Sequence, residues 1–86
     1  MSKVIWKYPV NMGGAVLMPD KATILSCQLQ NGMPVLWAEV DPAEPTVNSR
    51  VFKVVPTGGD VPDRGSYLST FQVDGLVFHV YEVLRT

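Results

Sequence analysis

The chain has 86 residues, of which 47% are hydrophobic and 17% charged, and its formal net charge is −1. This length predicts a single domain over residues 1–86 with a small core. The near-neutral charge argues against direct nucleic-acid binding, and no apolar run reaches the roughly 20 residues that cross a bilayer. Low charge and a thin core favour self-association, so we expect a homo-oligomer.

The first predicted strand covers residues 4–8, which are rich in β-branched and aromatic side chains and are followed by Pro9. Residues 11–14 predict a turn, residues 15–18 a short strand, and residues 19–21 a second turn. The single cysteine, Cys27, cannot form an intramolecular disulfide, and the N-terminus lacks the apolar segment of a signal peptide. Both features favour a cytoplasmic protein.

Residues 23–40 predict a β-hairpin around Asn31-Gly32, a dipeptide typical of type I′ turns. This turn opposes residues 30 and 33, 29 and 34, 27 and 36, and 25 and 38. Strand alternation then places one apolar set on the core face: Leu25, Cys27, Leu29, Leu36, Ala38 and Val40. Trp37 falls on the mixed outer face. Pro34 has no amide to donate, which predicts an edge or a bulge beside it.

Residues 41–49 and 56–65 predict two long loops around a strand at residues 50–55. A second hairpin follows at residues 67–83, with Asp74-Gly75 as its turn. Its predicted core-face pairs are Val73 with Leu76, Phe71 with Phe78, Ser69 with Val80, and Tyr67 with Glu82. The outer face carries Leu68, Thr70 and Gln72 opposite Tyr81, His79 and Val77. The sequence therefore predicts an all-β domain of six or seven strands, built on two tight hairpins as a small antiparallel sandwich or partly open barrel.

The residues offer little for catalysis, since the chain has one cysteine and one histidine and its acidic residues are scattered. Cys27 is predicted to lie in the core as a small hydrophobic side chain. His79 fits a surface histidine with local hydrogen bonds, a ligand contact, or a general base. The spacing of these residues does not resemble a zinc or calcium site. We expect no enzyme, no catalytic residues, no metal and no cofactor.

Two other features have more than one interpretation. The loop Thr57-Gly58-Gly59 either makes a tight turn that needs positive φ or turns its amides toward a bound anion, with Arg64 as a nearby cation. Trp37 either packs beneath another segment, contacts a second copy, or binds a ligand or partner protein.

Blocks along most of the chain carry a resemblance to a known family: Ile5-Trp6-Lys7-Tyr8, residues 29–37, Val40-Asp41, Thr57-Gly58, and residues 71–82. They resemble a family of short uncharacterised proteins of tailed phages and prophages. That family's Thr-Gly-His-Pro loop appears here as Thr57-Gly58-Gly59-Asp60, so a role for a loop histidine is not carried over. The resemblance implies a small accessory protein that acts in the cytoplasm of a bacterial host.

Two functional hypotheses follow. The first is a phage counter-defence factor that binds without catalysis, either sequestering a nucleotide-derived immune signal or blocking a host defence protein. Its candidate binding residues are Trp37, Thr57, Gly58, Gly59, Arg64, His79 and Tyr81. The second is a structural or assembly module of a phage particle or complex, whose apolar outer face is an interface.

Overall fold

The computed structural model describes residues 2–10 and 13–84, and these residues form seven β-strands and no helix. The strands are β1 (Val4–Pro9), β2 (Gly13–Pro19), β3 (Thr23–Gln30), β4 (Met33–Val40), β5 (Thr46–Pro56), β6 (Gly65–Val73) and β7 (Leu76–Val83). They make two antiparallel sheets, ordered β1-β4-β3 and β2-β5-β7-β6. The all-β fold is confirmed, and of the two predicted forms the separate sheets match the sandwich.

Several predicted boundaries are wrong. β5 begins at Thr46, so it takes in part of the predicted loop at residues 41–49. Gly13 and Gly14, placed in a turn by the sequence, belong to β2. Asn11 and Met12 of that same predicted turn lie outside the described residues.

Both predicted hairpin turns are confirmed. Asn31 and Gly32 have φ values of 52° and 77°, and Asp74 and Gly75 have 49° and 80°. Two successive positive φ angles define the type I′ turn, whose twist matches that of the strands it joins. The turns are closed by the pair Gln30–Met33 in one hairpin and Val73–Leu76 in the other.

The predicted register of the first hairpin fails at Leu25. A β-bulge between Ile24 and Ser26 inserts one extra residue, so Ile24, and not Leu25, lies opposite Ala38. Ile24 packs against the core, whereas the side chain of Leu25 is 48% exposed. A register propagated from a turn holds only as far as the first bulge, beyond which the side chains exchange faces.

The second hairpin contains a bulge of the same kind, between Tyr67 and Ser69. Tyr67 therefore lies opposite Tyr81, and the predicted pair of Tyr67 with Glu82 is wrong. The two tyrosine rings meet edge-to-face on the outer face of the sheet, with their centroids 5.7 Å apart. The bulge residue Leu68 is half-buried against the core.

Pro34 does not mark an edge of the sheet, because β4 is the central strand between β1 and β3. The proline stands where the β1 ladder ends, one residue beyond the last strand pair, Pro9 with Val35. Val10 N donates to Pro34 O at 3.1 Å. The opposite bond, from residue 34 to Val10 O, cannot form because proline has no N–H. Since this pair lies at the end of the β1–β4 ladder, its absence costs little stability.

The core lies between the inner faces of the two sheets. Its most buried members are Met18, Cys27, Leu36, Ala38, Val40, Phe52 and Val80. Along one side β3 and β6 run close together, and the amide of Cys27 donates to Ser69 Oγ at 2.9 Å. This bond satisfies a buried edge amide that has no neighbouring strand in its own sheet.

One end of the sandwich is held by an ion pair. Arg50 Nε and Nη2 donate to the two carboxylate oxygens of Glu82 at 2.6 and 2.7 Å, and Nη1 donates to Ala22 O at 2.5 Å. The side chains of Arg50 and Glu82 are only 18% and 14% exposed. The two-pronged geometry connects β5, β7 and the chain between β2 and β3.

Candidate functional site

A groove of about 230 Å³ lies on the outer face of the four-stranded sheet, where β5 runs into the following loop. It is lined by Val55, Pro56, Thr57, Gly58, Gly59, Val61, His79 and Tyr81. Five of the seven binding residues predicted from the sequence are in this list. The structure thus brings together the glycine loop and the outer face of β7, which are about 20 residues apart in the chain.

The loop folds back over the sheet through two backbone hydrogen bonds. Gly59 N donates to Pro56 O at 2.8 Å, and Thr57 N donates to Val77 O at 2.9 Å. Gly58 has a φ of 93°, as the third residue of a type II turn requires. The amides of Thr57 and Gly59 are therefore committed to carbonyls, which favours the tight-turn interpretation over an anion-binding nest of successive amides.

His79 is held between two threonines. Thr57 Oγ1 lies 2.8 Å from Nε2, and Thr70 Oγ1 lies 2.9 Å from Nδ1. Thr70 is the cross-strand partner of His79, as the sequence predicted. Tyr67 Oη lies 2.6 Å from Thr70 Oγ1, and Thr57 Oγ1 donates to Val77 O at 3.2 Å. Five groups form a continuous hydrogen-bond chain across the groove.

One proton arrangement satisfies every link in this chain with a neutral imidazole. Because Thr57 donates its only hydroxyl proton to the carbonyl, it accepts from His79 Nε2–H. Nδ1 then accepts from Thr70, which accepts from Tyr67. A second proton on the ring would turn Nδ1 into a donor and reverse its bond to Thr70. Both ring nitrogens are already used, so in this conformation His79 orients the groove and offers no free nitrogen.

An aromatic surface borders this hydrogen-bond chain. Tyr81 lies in the groove wall, and Tyr67 beside it is 56% exposed. Lys53 stands directly opposite Tyr81 in the β5–β7 ladder and is exposed. A ring face, several hydroxyls and a nearby cation are therefore available on one surface.

Two predicted binding residues do not join this groove. Trp37 is half-buried on the outer face of the other sheet, between Lys7 of β1 and Ser26 of β3. Arg64 is exposed just before β6, and its carbonyl accepts from Leu84 N at 2.9 Å. Neither residue lines the groove. The sequence placed Trp37 on an outer face correctly, but it could not tell which sheet each outer face belonged to.

Cys27 and His79 cannot act as a catalytic pair. Cys27 is fully buried on the inner face of the three-stranded sheet, and burial raises its pKa to about 11. His79 lies on the outer face of the opposite sheet. A buried thiol with a raised pKa is a poor nucleophile at neutral pH. Within residues 2–10 and 13–84, no three metal-ligating side chains cluster together.

Sequence reasoning missed an apolar cleft of about 350 Å³ between the two hairpin tips. Its lining consists of Gly32, Met33, Pro34, Phe71, Val73, Asp74, Leu76 and Phe78. Met33 and Leu76 each follow a turn glycine directly and are 51% and 62% exposed. The sequence signal for this cleft is the apolar residue directly after each turn glycine, because the two hairpins must pack together.

The chain was compared with known proteins. The model of a family described as a domain of unknown function, DUF7352, matches residues 1–86. The chain belongs to this family. No curated protein and no solved structure matches it. Within the described part of the chain, no helix has the length and apolar character needed to cross a membrane.

Proposed function

We propose that this DUF7352 protein is a non-enzymatic binding protein and that the groove beside His79 is its ligand site. The observation that carries the proposal is the convergence of the Thr57-Gly58-Gly59 loop with His79 and Tyr81 on one surface. The hydrogen-bond chain fixes the orientation of Thr57 and His79 before any ligand arrives. Such preorganisation reduces the entropy lost on binding.

The chemistry of the groove fits a nucleotide-type ligand. The rings of Tyr81 and Tyr67 offer a surface on which a planar base can stack. The hydroxyl oxygens of Thr57 and Thr70, whose protons are already donated, can each accept a hydrogen bond from a sugar hydroxyl, and Lys53 is placed to attract a single phosphate. Asp60 and Asp63 in the adjoining loop disfavour a polyphosphate. The ligand class is therefore a nucleoside or a nucleotide of low charge, such as a cyclic nucleotide.

The biological setting that we propose is phage counter-defence. The blocks of sequence that resemble phage and prophage proteins support this setting. In it, the protein works in the cytoplasm of a bacterial host as a homo-oligomer and sequesters a nucleotide-derived immune signal. Occupancy alone is sufficient for such a role. If the groove binds no nucleotide, the proposed protein instead blocks the surface of a host defence protein.

Thermal-shift and calorimetric titration against cyclic nucleotides, ADP-ribose and nucleosides tests the proposal. A ligand at about 100 times its dissociation constant stabilises the folded state by about 2.7 kcal/mol, which raises the Tm by several degrees in a domain of this size. The variant Tyr81→Leu should abolish the shift while keeping much of its apolar packing. Trp37→Leu, on the other sheet, is the control and should keep the shift. A Tm that no compound of the panel moves would contradict the nucleotide site.

The alternative is a structural or assembly module of a phage particle. It is favoured by the exposed apolar side chains of β1, where Ile5 is 61% and Trp6 41% exposed, because the groove does not use them. Co-purification with virions, together with a Tm unmoved by nucleotides, would select this function over ligand capture.

A further inference from the structure

Among the described residues, no strand pairs with the outer side of β1 in the three-stranded sheet, and its outward-facing backbone groups can be identified. Val10 N donates to Pro34 O, so the even-numbered residues of β1 bond to β4. In an antiparallel ladder the backbone groups of successive residues point alternately toward and away from the partner strand. The N–H and C=O groups of Ile5 and Lys7 therefore point away from the sheet. These four groups form a template for one more strand.

The side chains along this edge are unusually apolar for a free strand. Val4, Ile5 and Trp6 are 39%, 61% and 41% exposed. Lys7, which could guard the edge, donates from Nζ to Gln30 Oε1 of β3 at 2.7 Å and so reaches back across the sheet. Edge strands normally carry a feature that prevents pairing, and β1 lacks one along these positions.

β2, an edge strand of the four-stranded sheet, is protected by comparison. It begins with Gly13 and Gly14 at φ values of 120° and 128°, and its register shifts between Met18 and Pro19. These irregularities leave only a short regular stretch for a further strand. The two edges therefore differ in their readiness to pair, and β1 is the exposed one.

We propose that β1 pairs antiparallel with β1 of a second copy of this chain, about a two-fold axis at Trp6. Ile5 of each copy then lies opposite Lys7 of the other, and the outward groups form four hydrogen bonds. Charge excludes the two neighbouring registers. An axis at Lys7 places that lysine opposite its own copy, and an axis at Ile5 places Lys3 opposite Lys7, both of which oppose like charges. An axis at Tyr8 pairs Lys7 with Pro9, which has no backbone N–H to donate.

In this dimer the two three-stranded sheets become one six-stranded sheet. The two copies of Trp6 face each other as a non-hydrogen-bonded pair, the closer of the two antiparallel pairings, where side chains contact best. Trp6 lies on the inner face, next to Val4 and Tyr8, so association covers the apolar side chains that the three-stranded sheet leaves open. The dimer identifies the surface for the self-association proposed above. It does not depend on the ligand groove, so either proposal can fail alone.

Sedimentation equilibrium tests the dimer with a matched pair of variants. The wild-type chain of 9.5 kDa should sediment at twice that mass. Ile5→Pro removes two of the four ladder bonds without touching the β4 ladder, and should weaken the dimer by roughly tenfold or more.

Leu17→Pro on β2 is the control. Thr57 N donates to Val77 O, so the odd-numbered residues of β5 hydrogen-bond to β7 and the even-numbered residues to β2. Leu17 lies opposite Ser49, an odd-numbered residue, so it does not bond to β5 and its amide points away from the sheet. Leu17 is 60% exposed, nearly the same as Ile5. This variant should remain dimeric. A monomeric wild-type protein, or a dimer broken by Leu17→Pro and kept by Ile5→Pro, would overturn the proposal.

Cysteine cross-linking tests the register itself. In the proposed dimer Trp6→Cys places two thiols at a non-hydrogen-bonded pair, a separation that a disulfide spans, and mild oxidation should link the copies. Val4→Cys is the control, because Val4 lies opposite Tyr8 of the other copy and two Val4 positions are far apart. Cys27 is buried and should not compete. Linking through Val4→Cys, or through neither variant, would show a different partner surface.

Discussion

The two hairpins, β3–β4 and β6–β7, share a backbone plan and differ in which face they bury. Each has a type I′ turn, Asn31-Gly32 or Asp74-Gly75, and each has a β-bulge at a leucine seven residues before the turn glycine. Yet the fourth residue after the turn glycine differs between them. In the first hairpin it is Leu36, which is buried, and in the second it is His79, which is half-exposed. The turn fixes the pairing, whereas the apolar pattern decides which face turns inward.

The opposite orientation produces both the core and the candidate site. The first hairpin contributes Cys27 and Leu36 to the core, and the positions that match them in the second hairpin, Thr70 and His79, form the outer hydrogen-bond chain. Where the two hairpins meet, Ser69 accepts from the Cys27 amide. Variants at matched positions therefore test the comparison directly.

The largest expected difference is at the fourth residue after each turn glycine. Leu36→Ala should lower the free energy of unfolding by about 2–5 kcal/mol, because it opens a cavity in the core. His79→Ala should lower it by about 1 kcal/mol or less, since water can replace its hydrogen bonds. Urea denaturation measures both. Equal losses at the two positions would break the comparison.

A smaller difference is expected at the seventh residue after each glycine, which is glutamate in both hairpins. Glu82→Gln disrupts the two-pronged pair with Arg50 and should cost about 1–3 kcal/mol of stability. Glu39→Gln removes only a 3.8 Å contact with Lys3 at the surface and should cost less than about 0.5 kcal/mol. Thermal unfolding at two salt concentrations checks the assignment, because only the Glu39 effect should fade with salt.

The smallest difference concerns the two bulge leucines. Leu68→Ala removes a half-buried side chain packed against the core and should cost about 1–2 kcal/mol. Leu25→Ala changes a side chain that is 48% exposed and should cost less than about 0.5 kcal/mol. If the order were reversed in denaturant titrations, the bulge in the first hairpin would be placed at the wrong residue.

Most of the strand pairing that the sequence predicts correctly follows from the two turns. Asn31-Gly32 and Asp74-Gly75 fixed the hairpins and all pairs nearer the turn than the bulges. The bulges were not predicted, because an inserted residue leaves the composition of a strand unchanged and shows only in three dimensions. The repeated Leu-Ser pair, Leu25-Ser26 and Leu68-Ser69, is a signal in hindsight.

The candidate site was predicted in its local parts and not in its assembly. The pairing of Thr70 with His79 followed from the turn, but the contact of Thr57 with His79 joins a loop to a strand that is not its neighbour in the chain. Trp37 and His79 both have outward positions, yet they belong to different sheets. Sheet membership depends on strand order, which hairpin signals do not specify.

Thiol labelling tests most directly whether the two hairpins bury opposite faces. Cys27 and Thr70 are both the fifth residue before a turn glycine, and Cys27 is the only native thiol. At pH 8, the added thiol of Thr70→Cys should react with a disulfide reagent at least about a thousandfold faster than the wild-type Cys27, whose labelling requires the fold to open. Comparable rates for the two thiols would contradict the opposite orientation.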